Sequence, residues 1–79
     1  MEKYKKILNK LSKSLRGRVI GALFKIGDDN LKGLDIVQMS GAYHLYRCRV
    51  GKIRIIFQKR PSGNVVMDFG FRGGVYKGW

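Results

Sequence analysis

Cysteine and histidine are almost absent from this chain of 79 residues, which contains one of each, Cys48 and His44. A single cysteine excludes an intramolecular disulfide, and one cysteine with one histidine cannot supply the four ligands of a structural zinc site. The sequence therefore favours an intracellular protein, and we expect neither a metal ion nor a cofactor.

Long hydrophobic runs are also missing. No segment approaches the ~20 apolar residues of a membrane-spanning helix. The first ten residues, MEKYKKILNK, lack the continuous apolar core of a signal peptide. We therefore expect a cytoplasmic protein that is not inserted in a membrane.

Acidic side chains are scarce, with 5 Asp and Glu against 17 Lys and Arg and a formal net charge of +12. Hydrophobic residues make up 44% of the chain, enough for a folded basic domain rather than a disordered tail. The length suits one domain, residues 1–79, with a thin core. This charge predicts a polyanionic partner, which composition alone leaves open as nucleic acid, an anionic membrane surface or an acidic protein.

The N-terminal part of the chain has the periodicity of two helices. Apolar residues recur every three or four positions over residues 2–15, and a second apolar set over residues 19–24 ends before Gly27. Because Gly17 separates the two sets, we predict a helical hairpin that breaks there. Residues 28–43 mix turn formers with apolar residues, which predicts a loop with room for one short strand.

After Tyr43 the period changes to two, which predicts three antiparallel strands. The stretch YRCRVGKIRIIF holds the first two around Gly51, and NVVMDFGFR holds the third. A two-residue turn with glycine first places Arg49 opposite Arg54. The fold class predicted is α+β, with the helical hairpin packed on one face of a small antiparallel sheet.

This register separates an apolar face of the sheet from a basic one. The residues predicted for the core face are Tyr46, Cys48, Val50, Ile53, Ile55 and Phe57. The opposite face carries Arg47, Arg49 and Arg54. A five-residue loop from Arg60 to Asn64 would add Met67, Phe69 and Phe71 to the core face and Arg72 to the basic face, with Asp68 as its only acid.

Four arginines from three strands would then converge on one face. Any one of them alone is typical of a solvated strand residue, but like charges directly opposite each other destabilise a sheet. The planar fork of arginine binds phosphate oxygens at two points, so we predict a phosphate site. Tyr76 follows Arg72 closely and is suited to stacking on an unpaired nucleobase.

Three motifs in this order and spacing, LKGL, YRCRVGKIRIIF and GFRGGVY, resemble those of the RelE/ParE superfamily of type II toxins. The resemblance extends from Glu2 to Tyr76 and implies a RelE-like toxin fold. The chain departs from the family by starting at the first helix, without the usual N-terminal strand. It also has Phe71 in place of the histidine of the GHR motif.

The resemblance to the RelE branch implies a ribosome-dependent endoribonuclease that cleaves messenger RNA and is neutralised by a cognate antitoxin. The implied partners are the antitoxin, in a hetero-oligomer, and messenger RNA with the ribosome. The residues that match the family's site are Arg47, Arg49, Arg54, Arg72 and Tyr76. Substrate contacts are expected from Lys52, Arg47 and Arg49.

Two alternatives stay open at this stage. A ParE-like toxin would inhibit DNA gyrase, and the basic hairpin does not distinguish it from an RNA-cleaving relative. A non-catalytic RNA-binding member of the same fold also stays open, because the sequence identifies no general base beyond Lys52 in the turn, where a lysine is usually solvated. Some family members have lysine on the first hairpin strand, where this chain has Arg47 and Arg49, and arginine is almost never deprotonated.

Overall fold

The structure is a computed structural model that describes residues 2–39 and 44–71. Their elements are α1 Glu2–Asn9, α2 Lys13–Gly27, β1 Asp35–Gln38, β2 Leu45–Val50, β3 Ile53–Arg60 and β4 Gly63–Phe71. The order of two helices followed by an antiparallel sheet confirms the predicted α+β class. Among the described residues, neither helix is long and apolar enough to cross a membrane.

The helical hairpin breaks at residues 10–12 rather than at Gly17, so the predicted position of the break was wrong. Ser12 begins α2 as its N-cap, with its Oγ accepting a hydrogen bond from the Leu15 backbone N–H at 3.2 Å. This bond satisfies one of the N–H groups that the first turn of a helix leaves free. The helix then continues through Gly17 and ends at Gly27, as predicted.

The guanidinium group of Arg16 ties the two helices together at the break. Its Nε donates to the carbonyl oxygen of Leu8 at 3.0 Å, and its Nη2 donates to that of Leu11 at 3.3 Å. Carbonyls at the end of a helix have no partner within the helix, and a cation is favourable there. Arg16 is therefore a structural arginine of the hairpin.

The four strands form one antiparallel sheet in the order β1-β2-β3-β4. Strands β2 and β3 pair in the predicted register, with Arg49 opposite Arg54. Gly51, in the turn between them, has a φ of +58°, a conformation that glycine adopts without strain. A Cβ atom at Gly51 would lie 2.9 Å from Cδ1 of Leu15 in α2, so both the turn and the helix contact favour glycine.

The turn between β3 and β4 is shorter than predicted. Arg60 pairs with Gly63, which leaves two residues in the turn instead of a five-residue loop. In an uninterrupted ladder this turn would place Asp68 opposite Ile55, in the core, because side chains alternate between the faces. The strand avoids this outcome by a local irregularity.

That irregularity is a β-bulge at Met67, since the register passes from Val66 opposite Phe57 directly to Asp68 opposite Ile56. The extra residue shifts the rest of β4 by one position, so Asp68 faces away from the core and Phe69 lies opposite Ile55. The predicted faces of Phe69 and Phe71 are confirmed. The predicted place of Met67 in the core was wrong, because the bulge residue is outside the cluster of buried side chains.

The core lies between the helical hairpin and one face of the sheet. Its buried residues are Leu11, Val19, Ala22, Ile26, Cys48, Val50, Ile53, Ile55, Phe57 and Phe69. Tyr46, predicted for the same face, is half-buried, and its ring stacks on Phe57 with 5.6 Å between the centroids. The predicted core face of β2 and β3 is therefore confirmed, and the opposite face of the sheet carries the arginines.

Candidate phosphate-binding face

The arginine face is the face of the sheet opposite the core. Two rows of cross-strand neighbours form its centre: Asp35, Arg49, Arg54 and Gly70 in one, and Val37, Arg47, Ile56 and Asp68 in the other. Pairing between β2 and β3 brings Arg47, Arg49 and Arg54 to this face, as the alternation of the sequence predicts. Three of the predicted site residues therefore share one surface.

Arg54 is the most unusual residue of the arginine face, because its side chain is only 5% exposed. Its Nη1 donates to the carbonyl oxygens of Gly51 at 3.3 Å and Ile53 at 3.5 Å. Its buried Nε has no hydrogen-bond partner among the described residues. A buried guanidinium with an unused N–H donor is costly for the fold, and an oxyanion would supply the missing acceptor and countercharge.

Ile56, the other β3 residue in these two rows, is fully buried. It lies between Arg47 and Asp68 in its row, so the middle strand of this face is shielded from water. A simple solvated sheet surface would expose both Arg54 and Ile56. The burial of the two residues argues against that interpretation for the centre of the face.

Arg49 has an acidic partner that the sequence analysis missed. Its Nε lies 3.0 Å from Oδ2 of Asp35, which β1 places directly beside it. The expectation that Asp68 would be the only acid on this face was therefore wrong. Both side chains of the pair are about half exposed, so the ion pair contributes little to stability and can exchange for another anion. The signal was the apolar pair Ile36–Val37 directly after Asp35, which is typical of a short strand.

Asp68 lies at the other end of the face, half-buried on β4. One of its carboxylate oxygens accepts a hydrogen bond from the Phe69 backbone N–H at 2.9 Å. Ile56 separates it from Arg47 along the row, so the charges of the arginine face are distributed with acids toward its two edges. The centre of the face, at Arg54, is the position most suited to an added anion.

Lys52, predicted to contact substrate, is exposed in the turn between β2 and β3. Its Nζ lies 5.6 Å from the centroid of the Phe71 ring, a distance that allows a cation–π interaction. Phe71 itself packs against the core, in agreement with its predicted role. The structure therefore places Lys52 at the end of the sheet nearest Gly51, whose carbonyl group Arg54 contacts.

Cys48 and His44, the single cysteine and the single histidine of the chain, are not assigned to the candidate site. Cys48 is fully buried on the core face, and burial, with the Asp35 carboxylate as a second cause, raises its thiol pKa from an ordinary 9.0 to about 11. A thiol of this kind is inert as a nucleophile. His44 is exposed before β2 with a φ of +61°, and its carbonyl accepts a hydrogen bond from the Lys59 backbone N–H at 3.0 Å.

No family model matches the chain, and no curated protein matches it by sequence. Among solved structures it is similar to a chain in the crystal structure of the RelB-RelE antitoxin-toxin complex from Methanococcus jannaschii, with a TM-score of 0.72 and 22% sequence identity. The similarity covers 91% of this chain and 87% of that chain. The chain has a RelE-like fold. Identity at this level carries the fold and leaves the activity to be argued from the site.

Within this RelE-like fold, two of the five predicted catalytic residues lie outside the described residues, Arg72 and Tyr76. The remaining three lie on one face and differ in exposure: Arg54 is buried at the centre, Arg47 is half-buried and Arg49 is exposed. Such an arrangement can bind a phosphate group and stabilise additional negative charge on it. It supplies no proton acceptor of its own, because arginine stays protonated at any physiological pH.

Proposed function

We propose that the chain is the toxin of a type II toxin–antitoxin system and that it inhibits translation by cleaving messenger RNA in the ribosome. The observation that carries the proposal is the buried Arg54, whose Nε has no hydrogen-bond partner among the described residues and which shares one face of the sheet with Arg47 and Arg49. The RelE-like fold supports it, since the similar chain comes from an antitoxin–toxin complex. A cytoplasmic location and a cognate antitoxin belong to the same proposal.

The reaction would begin with attack of an RNA 2′-oxygen on the adjacent phosphorus. The bond from phosphorus to the 5′-oxygen of the next nucleotide then breaks, which leaves a 2′,3′-cyclic phosphate and a 5′-hydroxyl. The 2′-hydroxyl proton leaves, and one proton is delivered to the departing 5′-oxygen. The intermediate carries one more negative charge than the phosphodiester, so cations aimed at its oxygens lower the barrier.

In this proposal Arg54 and Arg47 stabilise the charge that develops on the phosphate oxygens. Arg49 would bind a neighbouring phosphate once its exposed ion pair with Asp35 exchanges. Lys52 would hold the RNA at the turn. By the family resemblance, Arg72 would bind or protonate the leaving oxygen and Tyr76 would stack on a base.

A second candidate function is RNA binding without cleavage. Its support is specific: the three predicted catalytic residues that share the arginine face are all arginines, none of which can accept the 2′-hydroxyl proton. Such a protein would occupy RNA through phosphate contacts alone, and its binding would weaken steeply with salt. The two candidates share a site and differ in whether RNA is cut.

The test is induction of the gene in a bacterial host, with growth arrest and primer extension on ribosome-bound messages as readouts. We expect new 5′ ends within coding sequences and their loss in Arg54→Met, which removes the guanidinium but keeps an unbranched apolar stem. Lys5→Met is the matched control, since it removes one charge from an exposed position of α1. It should arrest growth like the unmodified chain.

Three results would count against RNA cleavage. Full toxicity of Arg54→Met would remove Arg54 from the site. Growth arrest without message cleavage, together with DNA breaks that depend on gyrase, would identify the ParE-like alternative. Binding of RNA in vitro without cleavage on ribosomes would identify the non-catalytic alternative.

A further inference from the structure

Helix α2 presents two large apolar side chains to solvent. Phe24 is 71% exposed and Ile20 is 37% exposed. Residues four positions apart lie on the same side of a helix, one turn above the other, so the two form one short stripe. The core packs on the opposite side of α2 through Val19, Ala22 and Ile26, which leaves this stripe uncovered by the described residues.

The backbone of α2 is also accessible beside this stripe. Gly17 and Gly21 lie four residues apart on the outer side, and a Cβ atom at either position would meet nothing within 4 Å. Glycines at this spacing let another element approach the helix backbone closely. The stripe and the two glycines together form a shallow apolar seat about two turns long.

A cationic groove of about 390 Å³ runs along one side of that seat. Arg18 and Lys25 line it from α2, and Arg49 lines it from β2. Asp35 is the only acid among its described lining residues, and it is already paired with Arg49. The groove therefore carries an excess of positive charge, next to a glycine-lined strip of α2 that leads to the exposed Ile20 and Phe24.

We propose that this outer face of α2 is the docking site of an acidic amphipathic helix from a partner protein, which under the proposed function is the antitoxin. The apolar side of such a helix would cover Ile20 and Phe24. Carboxylates two turns apart on its flank would meet Arg18 and Lys25 across the groove, because these two residues are seven positions apart on α2. This juxtaposition of an apolar stripe with two cations is what an acidic amphipathic helix complements.

The groove gives the docked helix a route to the arginine face, because Arg49 belongs to both. A carboxylate that reaches Arg49 would compete with RNA phosphate there. The partner would then oppose the proposed activity from the side of the sheet, without covering Arg54. This step rests on the proposed function, whereas the docking itself does not.

Charge argues against a second copy of the chain as the occupant of the seat, and the width of the apolar face argues against a membrane surface. A second copy of the chain in a two-fold dimer would bring the same patch face to face, with Arg18 and Lys25 of both copies in one interface. A membrane-surface helix needs a wider apolar face than two side chains and two glycines. Both remain distinct outcomes of the test.

The experiment uses the full chain carrying Arg54→Met, which keeps the host viable under the proposed function. The probe is a fluorescent 20-residue designed peptide with leucines at helical i, i+3, i+4 and i+7 spacing and glutamates on both flanks. Its binding is followed by anisotropy at 0.15 M salt. A peptide with lysines in place of the glutamates and a scrambled acidic peptide are compared in parallel.

We expect the double variant Ile20→Ser/Phe24→Ser to bind the acidic peptide at least about tenfold more weakly, the loss expected when an apolar anchor is removed. Arg18→Glu/Lys25→Glu should weaken it by a similar factor. The matched control Lys5→Glu/Lys10→Glu makes the same charge change on α1 and at the residue that follows it, and should alter binding less than about threefold. The scrambled and basic peptides should bind more weakly than the acidic one.

Several results would overturn the docking proposal. If both charge-reversal pairs weaken binding equally and the serine variant does not, the peptide is held by net charge alone. If the serine variant changes only the binding to vesicles of anionic phospholipid, the seat belongs to a membrane surface. If it abolishes a dimer seen by sedimentation, the occupant is a second copy.

Peptide binding and toxicity are measured independently, so failure of the docking proposal can be distinguished from failure of the proposed function. A chain that arrests growth and cleaves messages but shows no α2-dependent peptide binding would refute the docking site alone. A non-toxic chain whose α2 face binds the acidic peptide would refute the toxin and keep the docking site.

Discussion

At the scale of single residues, the buried guanidinium of Arg54 lowers the stability of the fold, and a bound anion would offset that loss. Burial of an N–H donor without an acceptor costs about 1–3 kcal/mol, and burial of a charge adds to this. Its two carbonyl contacts, at 3.3 and 3.5 Å, are long for hydrogen bonds and offset only part of that cost. We infer that arginine at this position lowers the stability of the fold and provides a binding group for an anion.

The prediction is that Arg54→Met raises the free energy of unfolding by about 1 kcal/mol while it abolishes function. Methionine fills a similar space without a buried charge, and replacement of buried charged groups by apolar ones is often stabilising. Urea unfolding followed by circular dichroism measures the change. A loss of more than about 1 kcal/mol would mean that the guanidinium is well satisfied in the fold.

Cys48 gives a second prediction at this scale, through its raised thiol pKa of about 11. The unfolded chain ionises this thiol near 9.0 and the folded chain near 11, so between these values the unfolded state holds fewer protons. The free energy of unfolding should therefore fall as the pH rises from 9 to 11, by up to about 1.4 kcal/mol per pH unit. Below pH 9 the thiol should have no effect on the pH dependence.

The control for this titration is Cys48→Ala, which lacks the thiol but keeps every lysine and tyrosine. Unfolding free energies of the two proteins are measured in urea from pH 7 to pH 11. The difference between them should narrow above pH 9, on top of a constant loss from the smaller side chain. Parallel curves over the whole range would contradict the buried-thiol assignment.

At the scale of elements, some features follow from local sequence signals and others depend on tertiary packing. The β2–β3 hairpin was predictable because Gly51 favours a two-residue turn and the alternation of Cys48 with Arg47 and Arg49 fixes both faces. The position of the break between the helices was not predictable, because the apolar spacing of α1 continues in the sequence as far as Leu15. Only the capping hydrogen bond of Ser12 marks the start of α2.

The bulge in β4 was also beyond prediction from the sequence. The alternation that puts Phe69 and Phe71 in the core demands one residue more than the two-residue turn after Arg60 allows. A longer loop and a bulged strand satisfy that demand equally well. Which one forms depends on the packing of the helices against β4, which no local pattern contains.

Deletion of Met67 tests this account of the bulge. Without it, Val66 stays opposite Phe57 and Asp68 stays opposite Ile56 in a regular ladder, so the chain should still unfold cooperatively. Deletion of Met67 together with Asp68 would move Phe69 to the arginine face and should abolish the cooperative transition. Thermal unfolding and the near-ultraviolet spectrum report both. Loss of the fold in the single deletion would show that the bulge itself is required.

At the scale of the whole molecule, the site was only partly readable from the sequence. Net charge and strand parity predicted that arginines would gather on one face. The burial of Arg54 and the pairing of Arg49 with Asp35 depend on neighbours brought by other strands, so they could not be predicted. The exposed apolar seat on α2 could not be predicted either, since Phe24 fits the apolar pattern of a core residue.

The last prediction concerns the formal net charge of +12, which five acids cannot offset locally. Repulsion among like charges opposes the compact state, and its range is about 10 Å at 0.1 M ionic strength. Raising sodium chloride from 0.05 to 0.5 M should therefore raise the free energy of unfolding, by about 1 kcal/mol, as judged from denaturation in urea. In Lys5→Gln/Lys10→Gln/Lys13→Gln, which has three fewer charges, the increase should be smaller. If the free energy fell with salt instead, ion pairs such as Arg49–Asp35 would have to outweigh the repulsion, which an exposed pair worth at most about 1 kcal/mol cannot do alone.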